Sequence, residues 1–262
     1  MLLNPIESEM REQELKKYKQ EVETTLAGIK SHRKPDPNFD LQKYIGTHFT
    51  VTGLSMPQLR AAFKHGYSFS HLPLNEQYQI YKYIYFNSEI FDVLLQALFF
   101  NEIYVRQAEP EFIFNELIEW LDRIDNWAHS DMLTHHFAYL HEHYPAMVYP
   151  HLQEWNKSEN PWYRRQSVLS LLDYARFRNK KPTFNKIVAL VTPLLTDKAY
   201  YVQKGVGWCL RETGIVYPEQ TFNYLIKYHH LISSTAFAAA AEKLPTKEKE
   251  KLKLLRKKSR KK

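Results

Sequence analysis

Two short segments of the chain combine a tryptophan with charged side chains at helical spacing. In the first, Trp127 and Asp131 are four residues apart, which places an indole and a carboxylate side by side on a helix. In the second, VQKGVGWCLRE, Trp208 follows Lys204 by four residues and precedes Arg211 by three. Cations flanking an indole favour a surface for nucleic acid over a core. The first pair also fits a core tryptophan and a carboxylate that complements the helix dipole.

Two glycines lie inside the second segment, in a helix predicted over 199–214. Glycine costs about 1 kcal/mol relative to alanine in a helix interior. Gly205 and Gly207 therefore predict a helix that another group approaches closely. Cys209, the only cysteine, excludes an internal disulfide framework, fits a reducing compartment and is interpreted as a small buried apolar side chain.

Helical periodicity runs through nearly the whole chain, and the alternation typical of strands is almost absent. A charged segment over 7–34 is predicted to be helical and to end at a Pro-Asp-Pro sequence. Further helices, separated by short breaks, are predicted at 39–47, 57–65, 75–86, 88–106, 110–122, 127–144, 147–156, 161–177, 183–195, 199–214, 218–229 and 232–243. We therefore predict an all-α protein of paired antiparallel helices.

Part of this helical pattern repeats. The segment NPWYRRQSVLSLL (160–172) aligns with KAYYVQKGVGWCL (198–210) at a shift of 38 residues. Repeats of about this length are typical of two-helix solenoids, in which stacked pairs bury a continuous core. Asn160, followed by a proline, is a predicted N-cap, and Asp125 and Asp197 are candidate caps for the corresponding helices.

The positive charge is concentrated at the C-terminus. The chain has 262 residues, 44% of them hydrophobic, and a net charge of +7, so it can bury a sizeable core. Ten Lys/Arg and two Glu between 247 and 262 contribute +8, which leaves −1 for the remainder. The basic tail over 244–262 is expected to be solvated and disordered, with non-specific attraction to phosphate as the alternative.

Several classes of protein lack support in the sequence. No run of about 18 apolar residues occurs and the N-terminus is charged, which predicts a soluble cytoplasmic protein without a membrane span. Nucleotide-binding and serine-nucleophile motifs are absent, as are HExxH and CxxC spacings. We interpret the histidines of THHFAYLHEHYP as helix-surface side chains rather than metal ligands; they are His135, His136, His141 and His143.

The DNA alkylation repair enzyme family resembles this chain in four segments, which occur in the order HFTVTGLSMPQLR (48–60), IDNWAHSDML (124–133), NPWYRRQSVL (160–169) and VQKGVGWCLRE (202–212). The resemblance spans roughly residues 10 to 243, and the last segment is its most specific element. It implies an α-solenoid of HEAT-like antiparallel helix pairs, curved around a concave DNA-binding cleft. The expected organisation is one helical repeat domain over 1–243, on which the 7–34 helix packs.

The resemblance also implies site residues. Two tryptophans, an aspartate and an arginine line the DNA-facing groove in this family, and by motif position they match Trp127, Trp208, Asp131 and Arg165. Asp131 is expected to stabilise the sugar cation and orient water, the indoles to bind the cationic base, and Arg165 to anchor a phosphate. Relatives often have an acidic residue where this chain has Ala128, which bears on rate and substrate range. Further expected DNA-binding residues are Arg164, Lys204 and Arg211.

The function implied is a monofunctional DNA glycosylase that hydrolyses the N-glycosidic bond of cationic alkylated purines such as 3-methyladenine and 7-methylguanine. It implies duplex DNA as partner, no cofactor or metal, a monomer, and a cytoplasmic location at the nucleoid. One alternative is a non-catalytic scaffold for DNA structures or a protein partner, and another makes the 7–34 helix and the basic tail an interaction module. A scaffold needs no carboxylate facing DNA, so the set of four site residues favours catalysis.

Overall fold

Every regular element in the described part of the chain is a helix. The computed structural model describes residues 12–32 and 38–259, and in these ranges it has fourteen α-helices, two short 3₁₀ turns and no strand. The all-α prediction is confirmed. In chain order the helices are α1 (Glu12–Ala27), α2 (Leu41–Ile45), α3 (Met56–His65), α4 (Leu74–Asn87), α5 (Phe91–Tyr104), α6 (Pro110–Asp122), α7 (Trp127–His143), α8 (Pro145–Trp155), α9 (Pro161–Leu169), α10 (Phe184–Val191), α11 (Tyr200–Val216), α12 (Pro218–Tyr228), α13 (Ser234–Ala240) and α14 (Thr246–Ser259).

Each of the helices predicted between 39 and 243 overlaps an observed helix, but one of them is interrupted. The helix predicted over 161–177 ends at Leu169. Asp173 adopts a left-handed conformation, with φ 50°, and accepts a hydrogen bond from Arg178. A separate 3₁₀ turn, Ala175–Phe177, follows. The prediction of one continuous helix is wrong here, because a side-chain ion pair holds the chain in a turn.

The chain divides into two compact units, Met1–His136 and Phe137–Lys262, and the division falls inside α7. In the first unit α5 is buried on nearly every side, because its sequence is apolar all round, and α1, α3 and α4 pack against it. The indole of Trp120 is fully buried, and its ring stacks on that of Tyr85 with 4.2 Å between centroids. One domain over 1–243 stays a prediction.

Helix α1 confirms the helix predicted over 7–34 for residues 12–27, but residues 28–32 are not helical, so the prediction is wrong there. The helix packs in the first unit through the buried side chains of Val22 and Leu26. Glu21 also accepts hydrogen bonds from Ser68, and Glu23 accepts one from the Ser88 hydroxyl. Residues 7–11 and 33–34 of the predicted segment lie outside the described residues.

In the second unit α11 is central, with α9, α10, α12 and α13 packed against it. The close approach predicted at the two glycines of α11 is confirmed, and the approaching groups are neighbouring helices. A Cβ atom added at Gly205 would lie 3.2 Å from Cγ of Arg165 in α9. One added at Gly207 would lie 2.5 Å from the carbonyl oxygen of Ala236 in α13. These glycines therefore serve helix packing, and Cys209 beside them is buried, which raises the pKa of its thiol to about 12.

Replacing Gly207 with alanine is expected to destabilise the protein. The added methyl would also lie 2.8 Å from Cβ of Ala239, so α13 has to move. Such overpacking costs about 1–3 kcal/mol, against about 1 kcal/mol gained from the helix propensity of alanine. We expect a net loss of up to about 2 kcal/mol in the free energy of unfolding, measured by urea titration.

The matched control is Gly214→Ala in the same helix. The nearest atom to its added methyl is a Thr221 methyl group at 3.6 Å, which is ordinary contact. This variant is expected to be stabilised by up to about 1 kcal/mol. Equal effects of the two substitutions would contradict the packing assigned to Gly207.

The expectation of a disordered tail over 244–262 is wrong for Thr246–Ser259, which forms α14. The helix packs against α12, with the Leu252 side chain fully buried. Nη1 of Arg256 donates hydrogen bonds to the carbonyl oxygens of His229 and Ile232, at 2.7 and 2.6 Å. The hydroxyl of Ser259 also lies 2.8 Å from Nε2 of His229, so one apolar and two hydrogen-bonded side chains attach a mostly charged helix. Residues 260–262 lie outside the described part.

Across residues 12–32 and 38–259, no helix has both the length and the apolar character that a membrane span requires. The same residues contain no group of three or more His, Cys, Asp or Glu side chains that could hold a metal ion.

Candidate functional site

The start of α7 is fixed by hydrogen bonds. Oδ1 of Asn126 accepts from the backbone N–H of His129 at 2.9 Å, so Asn126 is the N-cap and the predicted cap Asp125 is not. Asp125 instead accepts from the Thr47 hydroxyl at 2.8 Å and from the backbone N–H of His48 at 2.7 Å. The carboxylate therefore ties the loop after α2 to the beginning of α7.

The family-like segment over 48–60 contributes to the same region of the first unit. Oδ2 of Asp92 in α5 accepts from both the backbone N–H and the hydroxyl of Thr52, at 2.7 and 2.6 Å. Ser55 and Gln58 then form the capping box of α3. The segment is thus a hydrogen-bonded connection between α2 and α3, and its contribution to the site is to hold the chain next to α7.

Trp127 and Asp131 lie one turn apart on a partly exposed stripe of α7. Both side chains are half-buried, as is Ala128 between them, while the residues on the opposite face of the helix are buried. The indole Nε1 of Trp127 donates to the carbonyl oxygen of Tyr44 at 3.4 Å, and the two rings meet edge to face at 5.9 Å. The first unit therefore presents an oriented indole beside a carboxylate.

Two histidines of the α7 motif belong to the interior rather than to the helix surface. His136 and His141 are 1% and 4% exposed, so their interpretation as surface side chains is wrong, whereas His143 is exposed and His135 half-buried. Burial lowers the pKa of His136 to about 3 and that of His141 to about 4. These rings are neutral parts of the core.

His129, which follows Ala128, is also buried and neutral. Its ring stacks on Phe91 with 4.4 Å between centroids, and its Nε2 lies 3.1 Å from the Phe91 carbonyl oxygen. Burial lowers the pKa of His129 to about 4. The residue therefore anchors the first turn of α7 and leaves Asp131 as the ionisable group on the partly exposed stripe of that turn.

The start of α9 follows the sequence prediction in part. Oδ1 of Asn160 accepts from the backbone N–H of Trp162 at 2.9 Å, which confirms Asn160 as the N-cap. Asp197, predicted as a cap, is not one, because the N-cap of α11 is Ala199. The Asp197 carboxylate accepts from the backbone N–H of Ala199 at 2.8 Å, just before the helix, and from Nε of Arg164 at 2.6 Å. Arg164 is thereby engaged in an ion pair.

Arg165 lies in the interface between α9 and α11. Its side chain is 3% exposed, its Nη1 donates to the carbonyl oxygen of Tyr201 at 2.7 Å, and its Cγ packs where Gly205 has no side chain. The observed contacts attach α9 to α11. The predicted phosphate contact requires that part of this guanidinium be uncovered, and it stays a prediction.

Trp208 is half-buried on α11. Its ring packs on Tyr174 with 4.9 Å between centroids, and its indole Nε1 is buried without a hydrogen-bond acceptor. The guanidinium carbon of Arg211 lies 5.9 Å from the indole centroid. A buried donor without an acceptor costs about 1–3 kcal/mol. Trp208 thus packs against a tilted tyrosine ring, with one polar atom unsatisfied.

The two cations that flank Trp208 differ in their environment. Arg211 forms ion pairs with Glu212 at 3.1 Å and Glu242 at 3.0 Å, so its charge is largely compensated. Lys204 is exposed, with Nζ 5.9 Å from the centroid of the Tyr200 ring. Among the candidate DNA-binding residues, Lys204 is therefore the exposed one whose charge no carboxylate in the described part of the chain compensates.

The predicted residues fall into two sets. Trp127 and Asp131 lie in the first unit, and the other set, in the second unit, consists of Arg164, Arg165, Lys204, Trp208 and Arg211. That all of them act on one substrate stays a prediction. The sequence did not reveal the ring partners Tyr44 and Tyr174, because each is far along the chain from its tryptophan and in no recognisable pattern.

A comparison with protein-family models shows to which family this chain is related. The model of the DNA alkylation repair enzyme family matches residues 25–244, which is most of the sequence. The chain belongs to the DNA alkylation repair enzyme family. No curated protein matches the chain significantly.

Solved structures agree with the family in their fold. A predicted DNA alkylation repair enzyme from Enterococcus faecalis is 17% identical, with a TM-score of 0.67 over 83% of this chain and 99% of that one. AlkD2 from Streptococcus mutans is 18% identical, with a TM-score of 0.52 over 93% and 98% of the two chains. This DNA alkylation repair protein therefore shares their helical repeat fold, while its site residues have to be judged on its own side chains.

Proposed function

We propose that this protein is a monofunctional DNA glycosylase that removes cationic alkylated purines, such as 3-methyladenine and 7-methylguanine, from duplex DNA. The observation that carries the proposal is the half-buried pair on α7, in which Trp127 is oriented by Tyr44 and Asp131 follows one turn later. Membership of a DNA alkylation repair family makes DNA the substrate.

The chemistry of the lesion explains why a carboxylate is useful. Alkylation at N3 or N7 gives the purine a positive charge that already weakens its bond to the sugar. As the base leaves with the bonding electrons, positive charge develops on the deoxyribose. A fixed carboxylate stabilises that charge and orients the water that adds to the sugar carbon. We assign this role to Asp131, with water as the only co-reactant and no cofactor.

The tryptophans are proposed to bind the cationic nucleotide. The face of an indole attracts a cation by about 0.5–2 kcal/mol, depending on how much water is excluded. Trp127 and Trp208 are half-buried, and each is fixed by a tyrosine, so both can offer ring surface at little cost in entropy.

The proposed phosphate contacts are ranked by how freely each cation can reach DNA. Lys204 is exposed and is the first candidate. Arg164 and Arg211 bind carboxylates and have to exchange them for a phosphate. Arg165 is proposed to contact a phosphate only if DNA binding uncovers it, and otherwise to position α11. We further propose that the protein acts as a monomer in the cytoplasm, at the nucleoid.

The alternative function is that of a scaffold that binds DNA without reacting. It is disfavoured by Asp131, because a carboxylate on a DNA-binding surface repels the phosphate backbone. The two functions differ in one observable, which is the appearance of free base.

The experiment uses duplex DNA methylated at random, incubated with wild-type protein, and identifies every released base by mass spectrometry. We expect 3-methyladenine and 7-methylguanine in the supernatant, and strands that stay intact until the abasic sites are cleaved by hot alkali. Uracil, which is neutral, is expected to stay attached to its deoxyribose in a matched duplex that contains it. Measurable affinity for the methylated duplex with no free base would replace this proposal by the scaffold.

A further inference from the structure

Helix α14 is strongly basic, and it contains none of the residues proposed to act on the lesion. It carries seven Lys/Arg and two Glu between Thr246 and Ser259. Its buried face consists of Leu252, which is fully buried, and Arg256, whose guanidinium is occupied by two backbone carbonyls. The arginine is thus used for attachment, whereas five lysines are exposed, namely Lys247, Lys251, Lys253, Lys257 and Lys258, with Nζ of Lys251 5.6 Å from the centroid of the Phe222 ring.

Three of the exposed lysines form a stripe along the outer face of the helix. At 100° per residue, Lys247, Lys251 and Lys258 fall within about 40° of one another, spread over about 16 Å of helix. Lys253 and Lys257 are exposed on a different side of the helix, at about 240° and 280° from Lys247 on the same scale. No lysine of α14 forms an ion pair with any residue in the described ranges 12–32 and 38–259. Glu248 and Glu250 of the same helix reduce its net charge to +5, so this surface stays strongly positive.

We infer that the lysine stripe of α14 is a second contact surface for the phosphate backbone of duplex DNA, separate from the residues proposed to act on the lesion. The inference rests on the proposed function for its choice of DNA as partner. A row of fixed lysines suits a regular row of phosphates, because binding releases the counterions condensed on the DNA. Such a contact reads no sequence and no lesion, so it supplies affinity for undamaged duplex.

The composition of the outer face favours DNA over a lipid surface. A helix that lies on a membrane presents a broad apolar face below its cations. The outer face of α14 offers a single large apolar side chain, Leu254, which is 54% exposed, and its apolar contact Leu252 is already used inside the protein. Charge is therefore the property by which this surface recognises its partner.

The test compares three triple variants of the full chain. The first replaces Lys247, Lys251 and Lys258 with glutamine, the second replaces the same residues with arginine, and the third is a control in which exposed lysines of the first unit are replaced with glutamine, namely Lys17, Lys30 and Lys64. Affinity for an undamaged duplex is measured by fluorescence anisotropy at several salt concentrations. Circular dichroism and thermal unfolding establish that all variants fold.

For the stripe variant with glutamine, we expect at least about a 10-fold loss of affinity at about 0.1 M salt, and a slope of log K against log salt that is smaller by about 2.7. The arginine variant and the control are expected to keep the wild-type slope. Release of 7-methylguanine under saturating protein is expected to be unchanged in all three. If the wild type releases no base but its stripe lysines still contribute to the salt-dependent binding of DNA, only the proposed glycosylase function is contradicted.

Two results would overturn the inference. One is an unchanged affinity and salt slope when the stripe lysines become glutamine. The other is an unchanged affinity for DNA together with loss of binding to phosphatidylserine vesicles, which would assign the stripe to a lipid surface.

Discussion

The Asp131→Asn variant is expected to release 7-methylguanine at least about 100-fold more slowly than the wild type under single-turnover conditions. Asparagine keeps the shape of the side chain and removes the negative charge. A fixed group that faces developing charge contributes about 10²–10³ to the rate, so its loss should appear in the chemical step. Affinity for the duplex is expected to stay the same or to increase slightly, because a charge that repels phosphate is gone.

The control for this prediction is Asp122→Asn, an exposed aspartate at the end of α6 in the same unit. It removes one surface carboxylate that lies outside α7, and its release rate is expected to equal that of the wild type. If Asp131→Asn retained full activity, the carboxylate on α7 would have no part in the chemistry. If both variants lost activity together, net charge rather than position would be the cause.

Acidification from about pH 6 to pH 4 is expected to destabilise the protein steeply. Burial holds the pKa of His129 and His141 at about 4 and that of His136 at about 3, whereas an exposed histidine has a pKa of 6.5. The unfolded chain therefore takes up three protons in this range that the folded chain does not. The stability associated with the neutral rings is complete above pH 6.5 and is lost as the pH falls toward 4.

Each of these histidines contributes on the order of 1.4 kcal/mol per pH unit, so the three together give a slope on the order of 4 kcal/mol per pH unit. Urea titrations at half-unit steps of pH measure the free energy of unfolding and are expected to show this slope. His136→Leu is expected to reduce the slope by about one third. His71→Gln, at an exposed position, is expected to leave it unchanged. A flat profile between pH 6 and 4 would contradict the buried, neutral state of these rings.

The helices were predictable because their signals are local. Apolar periodicity located each helix between 39 and 243. Asn160 and the proline after it predicted the start of α9, and Gly205 and Gly207 predicted close packing of α11. The departures have long-range causes. The carboxylate of Asp125 serves the loop after α2 rather than its own helix, and the turn at Asp173 depends on an ion pair with Arg178.

The same distinction applies to the candidate site. The residue types at Trp127 and Asp131 could be recognised from the sequence, but the ring of Tyr44 that orients the indole could not, since the two are 83 residues apart. Likewise, periodicity gave no sign that Arg165 is buried between helices. The order of α14 depends on Leu252 and Arg256 meeting the end of α12, which a charge count over the tail cannot show.

The most direct test of the account is the time course of base release from a defined duplex that carries a single 7-methylguanine, with wild-type protein in excess. We predict that free 7-methylguanine and abasic sites appear in equal amounts, that no strand break precedes alkali, and that a buffer control without protein shows only slow spontaneous loss. A duplex that is bound tightly but keeps its methylated base at the spontaneous rate would contradict the central claim.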